Sequence, residues 1–373
     1  MKKLVVVLFF LTLILILIGV VVVLTASSSY SEFNKSDSFF LFKKHLAKVL
    51  LALLALMIGA IIPYEFYRYL SKYLMISIVI ILILTVIMNS GKKGAERWFS
   101  IWGFEFQPVD IAKVILIIHL ANLLDKKDEY LDNLKIGYLP LIFWILIVSG
   151  LIIIQPNISN AILIFLTSMI LIYVGGAPTK YVFGTLSIFG ISATLVALTF
   201  THSKTRIETY INALISGEPI NLQVLQALVS LGSGGIFGLG VGDSKQNNLF
   251  LPEAYGDFIF SILGEQFGLI GALMVIMIYL TVTLSGVIIA KKVKDKFGQM
   301  LAFGIAIQIG LYAMVNMAVN VGLFPTTGLP LPFISYGGTS IVFNSAAVGI
   351  LINIGISNYL KEIERKKANL EFA

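Results

Sequence analysis

Three carboxylates close to one apolar segment are the first residues able to do chemistry. Glu253 and Asp257 stand at its mouth, and Glu265 follows two helical turns deeper on roughly the same face. A carboxylate partly desolvated at a membrane–water boundary is tuned toward accepting a proton near neutral pH. The plainer reading of Asp257 is an acid that complements a helix N-terminus. A second pair, Asp110 and Lys113, lies three residues apart and faces one way. An ammonium inside an apolar span costs at least about 2.5–3.5 kcal/mol, so Lys113 points into a bundle, either as a structural ion pair or toward a substrate. Gln308, Tyr312, Asn316 and Asn320 step by four and form one polar stripe, suited to hydrogen bonding between helices or to lining a substrate path. His45, His119 and His202 are scattered without metal-ligand spacing, which argues for structural or solvated roles. The glycine run from Gly232 to Gly242 lacks a following Lys-Ser/Thr and a preceding strand, so it is neither a nucleotide loop nor a dinucleotide fingerprint. What it offers is a backbone that bends sharply, approaches another group closely and presents N–H groups to an anion.

The elements that position these residues follow from composition. Of 373 residues, 58% are hydrophobic and 13% charged, against about a quarter charged in soluble domains. No water-soluble fold hides that much apolar surface. Apolar segments near 4–26, 46–63, 73–89, 108–124, 137–154, 159–175, 180–200, 258–290, 299–321 and 333–360 predict an all-α integral membrane protein of about ten transmembrane helices. Residues 1–373 then form a single polytopic domain. The first segment is too long for a signal-peptide core and lacks a clear cleavage site, so it reads as a retained span.

The net charge of +7 is explained by loops rather than by nucleic acid, because the larger share of the 27 Lys and Arg falls where cytoplasmic loops are expected if both termini are inside. That orientation puts residues 90–107, 201–256 and 322–332 outside. The large loop, 201–256, lies between helices 7 and 8. Within it Ile207, Tyr210, Ile211, Leu214 and Ile215 recur at helical spacing, as do Leu222, Leu225 and Val229, predicting two short amphipathic helices on the membrane surface. The absence of cysteine excludes disulfides, thiolate metal sites and a cysteine nucleophile.

Six blocks carry a resemblance. They are Gly94-Ala-Glu-Arg-Trp98, Gln107-Pro-Val-Asp-Ile-Ala-Lys113, Gln155-Pro156, Gly232-Ser-Gly-Gly-Ile-Phe-Gly238, Leu251-Pro-Glu-Ala-Tyr-Gly-Asp-Phe-Ile-Phe260 and Leu331-Pro-Phe-Ile-Ser-Tyr-Gly-Gly338. In order and over nearly the whole chain, they resemble the SEDS family of membrane glycosyltransferases, which contains FtsW, RodA and SpoVE. The wording around Arg206, Gly232 and 325–338 is nearer FtsW and SpoVE. The resemblance implies polymerisation of lipid II into peptidoglycan at the outer face of the bacterial cytoplasmic membrane, with a class B penicillin-binding protein and other division or elongation proteins as partners. It maps the family's proposed catalytic acid onto Asp257.

Cations are then expected near the departing lipid pyrophosphate. Arg97, Lys113, Arg206 and Lys245 are the outer-side candidates, and a divalent cation, magnesium or manganese, could share the task, although no cofactor is required by the sequence. Glu253, Ser335 and Tyr336 match blocks and are expected to contact substrate or shape the cavity. Asn157 stands where the family has Asp, Gly256 where Thr is usual, Gln266 where a second Glu is common, and Asp110 replaces a common Glu. Two rival readings are a lipid II flippase and a non-catalytic division scaffold. A flippase needs groups reachable from both faces, whereas the unusual residues here concentrate on one.

Overall fold

The computed structural model describes residues 1–89, 98–101, 104–199, 201–216, 221–243 and 254–371. The architecture is helical, and the short antiparallel hairpin β1 (Phe99–Ile101) and β2 (Phe104–Phe106) precedes the fourth helix. Helices α1 (Lys2–Lys35), α2 (Phe40–Ile61), α3 (Tyr64–Asn89), α4 (Pro108–Lys126), α5 (Leu139–Ile154), α6 (Ile158–Val174) and α7 (Thr179–Thr199) run in sequence. Two shorter helices, α8 (Thr201–Ser216) and α9 (Leu222–Ser233), precede α10 (Ile259–Lys292), α11 (Lys296–Asn320) and α12 (Ser340–Glu371).

Seven helical segments are long and apolar enough to cross a bilayer: α1, α2, α3, α5 together with the π-helical turn Leu134–Tyr138 that leads into it, α10, α11 and α12. Helices α4, α6 and α7 occupy the three other segments expected to span. In α4 the charges of Asp110, Lys113, Asp125 and Lys126 dilute the apolar signal. It is nonetheless the most enclosed element, with nearly every side chain from Pro108 to Asn122 buried against its neighbours. A helix covered on all sides has no lipid face to keep apolar, so it carries charge where a peripheral helix does not.

Small residues set the closest helix approaches, as expected where lipid supplies no hydrophobic drive between helices. A Cβ on Gly59 of α2 would lie 2.5 Å from the Ala346 carbonyl of α12, and one on Gly349 of α12 would lie 2.2 Å from the Leu56 carbonyl. Gly19 brings α1 equally close to the backbone of Phe333 and Ile334.

The long helix α10 is broken at Gly268, whose φ of 67° and ψ of −169° are open to glycine alone. The glycine run fills the break. The N–H groups of Leu239 and Gly240 donate to the carbonyls of Glu265 and Gln266, and those of Leu269 and Ile270 donate to Gly235 and Ile236. The close approach expected of this run is therefore made to a helix, and two of its N–H groups meet carbonyl oxygens there rather than an anion. This satisfies backbone groups that a kink in an apolar segment would otherwise strand.

Candidate active site

Asp257 sits in the turn 254–258 that leads into α10, half-buried among enclosed neighbours. Two side chains of the polar stripe on α11 hold this turn. Asn316 Nδ2 and Asn320 Nδ2 both donate to the Asp257 carbonyl, at 2.9 and 3.0 Å. Asn320 Oδ1 in turn accepts from the Ser261 N–H at 3.1 Å and its hydroxyl at 2.7 Å, locking the first turn of α10. Asn316 also donates to the Leu329 carbonyl at 2.7 Å. The stripe thus resolves largely into bonds between elements. Its fourth member, Gln308, is buried with an Oε1 that meets no donor among the described residues.

The loop 321–339 closes over the turn from the other side. Ser335 Oγ donates to the Gly256 carbonyl at 2.7 Å and accepts from the Leu331 N–H at 2.8 Å, and the Tyr336 N–H donates to the Tyr255 carbonyl at 2.9 Å. Gly328, at φ +71°, brings its backbone so near the carboxylate that a Cβ there would lie 3.5 Å from Asp257 Oδ2. Gly256 is not among the positive-φ glycines. Its carbonyl is pinned by Ser335, which offsets the freedom that a glycine beside Asp257 introduces.

Lys113 is only 3% exposed. Its Nζ lies 3.0 Å from Asp110 Oδ1 and 4.7 Å above the Tyr312 ring. Thr339 donates to Asp110 Oδ2 at 3.1 Å and accepts from the Gln107 N–H at 3.2 Å, tying α4 to the loop that braces Asp257. Tyr312 donates to Asn160, which donates to Asn157, so the position that departs from the family pattern ends the same buried network. The Asn157 Nδ2 has no partner among the described residues. Lys113 and Ser335 are thus engaged by protein groups, and direct contact with substrate requires them to exchange these partners.

Glu265 is fully buried and accepts from Ser230 at 2.9 Å and Ser233 at 3.4 Å, so it braces α9 and does not share the opening with Asp257. Arg97, Lys245 and Glu253 lie outside the described residues, and of Arg206 only the backbone, in α8, is described. Among the described residues no three His, Asp or Glu gather into a set able to hold a metal ion.

Sequence reasoning named Tyr336 but passed over the aromatic group around it. The Tyr255 ring lies 5.2 Å from that of Tyr30 and 5.6 Å from that of Tyr336. Lys48 Nζ sits 4.4 Å above Tyr336, and the buried His45 ring is 5.9 Å from it. No periodicity signals this group, because its members come from α1, α2 and two loops.

The family model described as "Cell cycle protein", for FtsW, RodA and SpoVE, matches residues 6–360. The chain belongs to this family. It is 34% identical over 331 residues to a probable peptidoglycan glycosyltransferase FtsW of Geobacter metallireducens, with 88% of each chain covered. It is 32% identical over 332 residues to the stage V sporulation protein E of Bacillus subtilis, covering 88% of this chain and 90% of that one. The fold is shared with the rod shape determining protein RodA of Thermus thermophilus, at a TM-score of 0.69, 21% identity and 94% and 96% coverage. A chain from a peptidoglycan synthase complex that coordinates polymerization and crosslinking superposes at a TM-score of 0.73 with 20% identity, covering 94% of this chain and 97% of that one. Asp257 therefore sits within the matched region, in the turn that α11 and the loop 321–339 clamp from two sides.

Proposed function

We infer that this protein is a peptidoglycan glycosyltransferase that polymerises lipid II, with Asp257 as its general base. The observation that carries the reading is the clamped turn. The restraints on it from Asn316, Asn320, Ser335 and Tyr336 are made to backbone carbonyls, and the carboxylate is held at a half-buried position. Such preorganisation is what a proton acceptor requires.

In the reaction, the C4 hydroxyl oxygen of the acceptor sugar attacks the anomeric carbon of the donor. As that bond forms, the bond from the anomeric carbon to the lipid pyrophosphate oxygen breaks, and the hydroxyl proton passes to Asp257. A single displacement inverts the α-linked donor to a β-linked product. Charge on the departing pyrophosphate falls to cationic side chains, with Arg97, Arg206 and Lys245 the candidates for direct contact. Lys113 acts through Asp110 and Thr339 on the loop that braces the turn. With both termini cytoplasmic, all ten long helices span and the reaction faces the extracytoplasmic side of the cytoplasmic membrane. A class B penicillin-binding protein is the expected partner there, in keeping with the fold shared with a chain of a peptidoglycan synthase complex.

The test is polymer formation from lipid II by the purified protein and its partner, wild type against Asp257→Asn. General-base removal should cost about 10²–10⁴-fold in turnover with lipid II binding retained. Near-normal polymerisation by the variant would exclude Asp257 as the base. Transport of lipid II by a wild type that forms no polymer would replace this reading with the flippase.

A further inference from the structure

The end of the bundle opposite Asp257 holds a cavity of about 500 Å³ between the last turn of α10, the start of α3 and the C-terminal part of α12. Lys292, Lys294, Lys361 and Arg365 line it, with Tyr64, Asp295 and Glu362. Asp295 in its lining and Glu65 beside it are already paired. Asp295 accepts from Arg68 at 2.7 Å, from the Tyr64 hydroxyl at 2.6 Å and from the Gly298 N–H at 2.9 Å, capping α11. Lys361 is matched by Glu65 at 2.9 Å. Lys292, Lys294 and Arg365 remain, exposed at the rim and making no ion pair among the described residues.

We propose that this cavity binds the phosphate of an anionic phospholipid, held by Lys292, Lys294 and Arg365. Its position decides for a lipid over a soluble anion. The cavity opens where spans end, and α10 and α12 continue from it into the apolar belt with Leu284, Ile288, Ile356 and Leu360 exposed, a surface that acyl chains cover. Basic pockets between helix ends on the cytoplasmic side suit such headgroups because the local field adds to contact with the phosphate. The positive-inside bias alone would scatter the same cations over the loops without building a cavity around them.

The full-length protein, purified and placed in phosphatidylcholine nanodiscs doped with phosphatidylglycerol or cardiolipin, tests this by native mass spectrometry of retained lipid. Wild type should hold the anionic lipid selectively. K292Q/K294Q/R365Q should weaken retention by about fivefold for each charge removed, while K292R/K294R/R365Q, which returns two of the three charges, should recover all but about fivefold. The control K126Q/K135Q/K180Q removes three cations of the same end outside the cavity and should retain lipid as wild type does. Equal retention by both triple variants, or equal loss in both, would overturn the site. Displacement of the lipid by millimolar inorganic phosphate would overturn a phospholipid as its occupant. All variants should melt with wild type, since none of the substituted side chains is buried.

Discussion

At the scale of single residues, the turn that carries Asp257 depends on side chains that hold its backbone. Asn320 binds the Asp257 carbonyl and both polar groups of Ser261. Asn320→Ala leaves the Asp257 carbonyl to Asn316 but takes away the acceptor of the buried Ser261 hydroxyl, and should cost about 1–3 kcal/mol of stability. Asn320→Asp keeps size and acceptor but loses the donor, and should lower kcat more than it raises KM in the lipid II assay. Unchanged kcat in a folded Asn320→Asp protein would show that the clamp is dispensable. The pair Asp110 and Lys113 behaves differently, because both charges are enclosed. Removing one partner, as in Lys113→Met, leaves a lone buried charge and should destabilise by about 3–5 kcal/mol. Asp110→Leu together with Lys113→Met should recover much of that in a double-mutant cycle read by thermal unfolding. Recovery of stability without recovery of activity would separate the pair's role in the loop from its role in the fold.

At the scale of elements, the break in α10 is a joint between that helix and the glycine run. Gly268→Ala places a Cβ 2.4 Å from both the Gly238 nitrogen and the Ile236 oxygen, in a conformation that side chains avoid. Backbone strain of this kind costs about 1–3 kcal/mol before any steric clash is added. Gly150→Ala in α5 is the control, since a Cβ there meets nothing within 4 Å. The melting temperature should fall for Gly268→Ala and hold or rise for Gly150→Ala. Equal behaviour of the two would deny the joint a structural role. The composition of the glycine run announced a close backbone approach, and its carbonyl partners on α10 lay beyond any local signal.

At the scale of the whole molecule, the two ends differ in kind. One gathers the turn before α10, the loop 321–339 and the start of α4. The other gathers Arg68, Asp295 and the cationic cavity. A chain without cysteine allows each end to be marked by a single introduced thiol. Ser36→Cys, in the exposed turn between α1 and α2, should react with an impermeant maleimide on intact cells, and Lys294→Cys only after permeabilisation. The reverse pattern would invert the orientation and put Asp257 on the cytoplasmic side.

The sequence by itself determined the class, the segments that became long helices, the small residues available for close packing and the block that contains Asp257. Those follow from apolar length, charge placement and local spacing, which act along the chain. Only the tertiary structure decided that Asn316 and Asn320 meet at one carbonyl, that Lys113, already spaced to pair with Asp110, lies over the Tyr312 ring, and that Tyr30 and Lys48 join Tyr255 and Tyr336. These contacts link residues far apart in sequence, and helix packing fixes which faces meet. A polar side chain in a bundle must find its partner across a helix boundary, and no periodicity within its own helix states which neighbour will supply it.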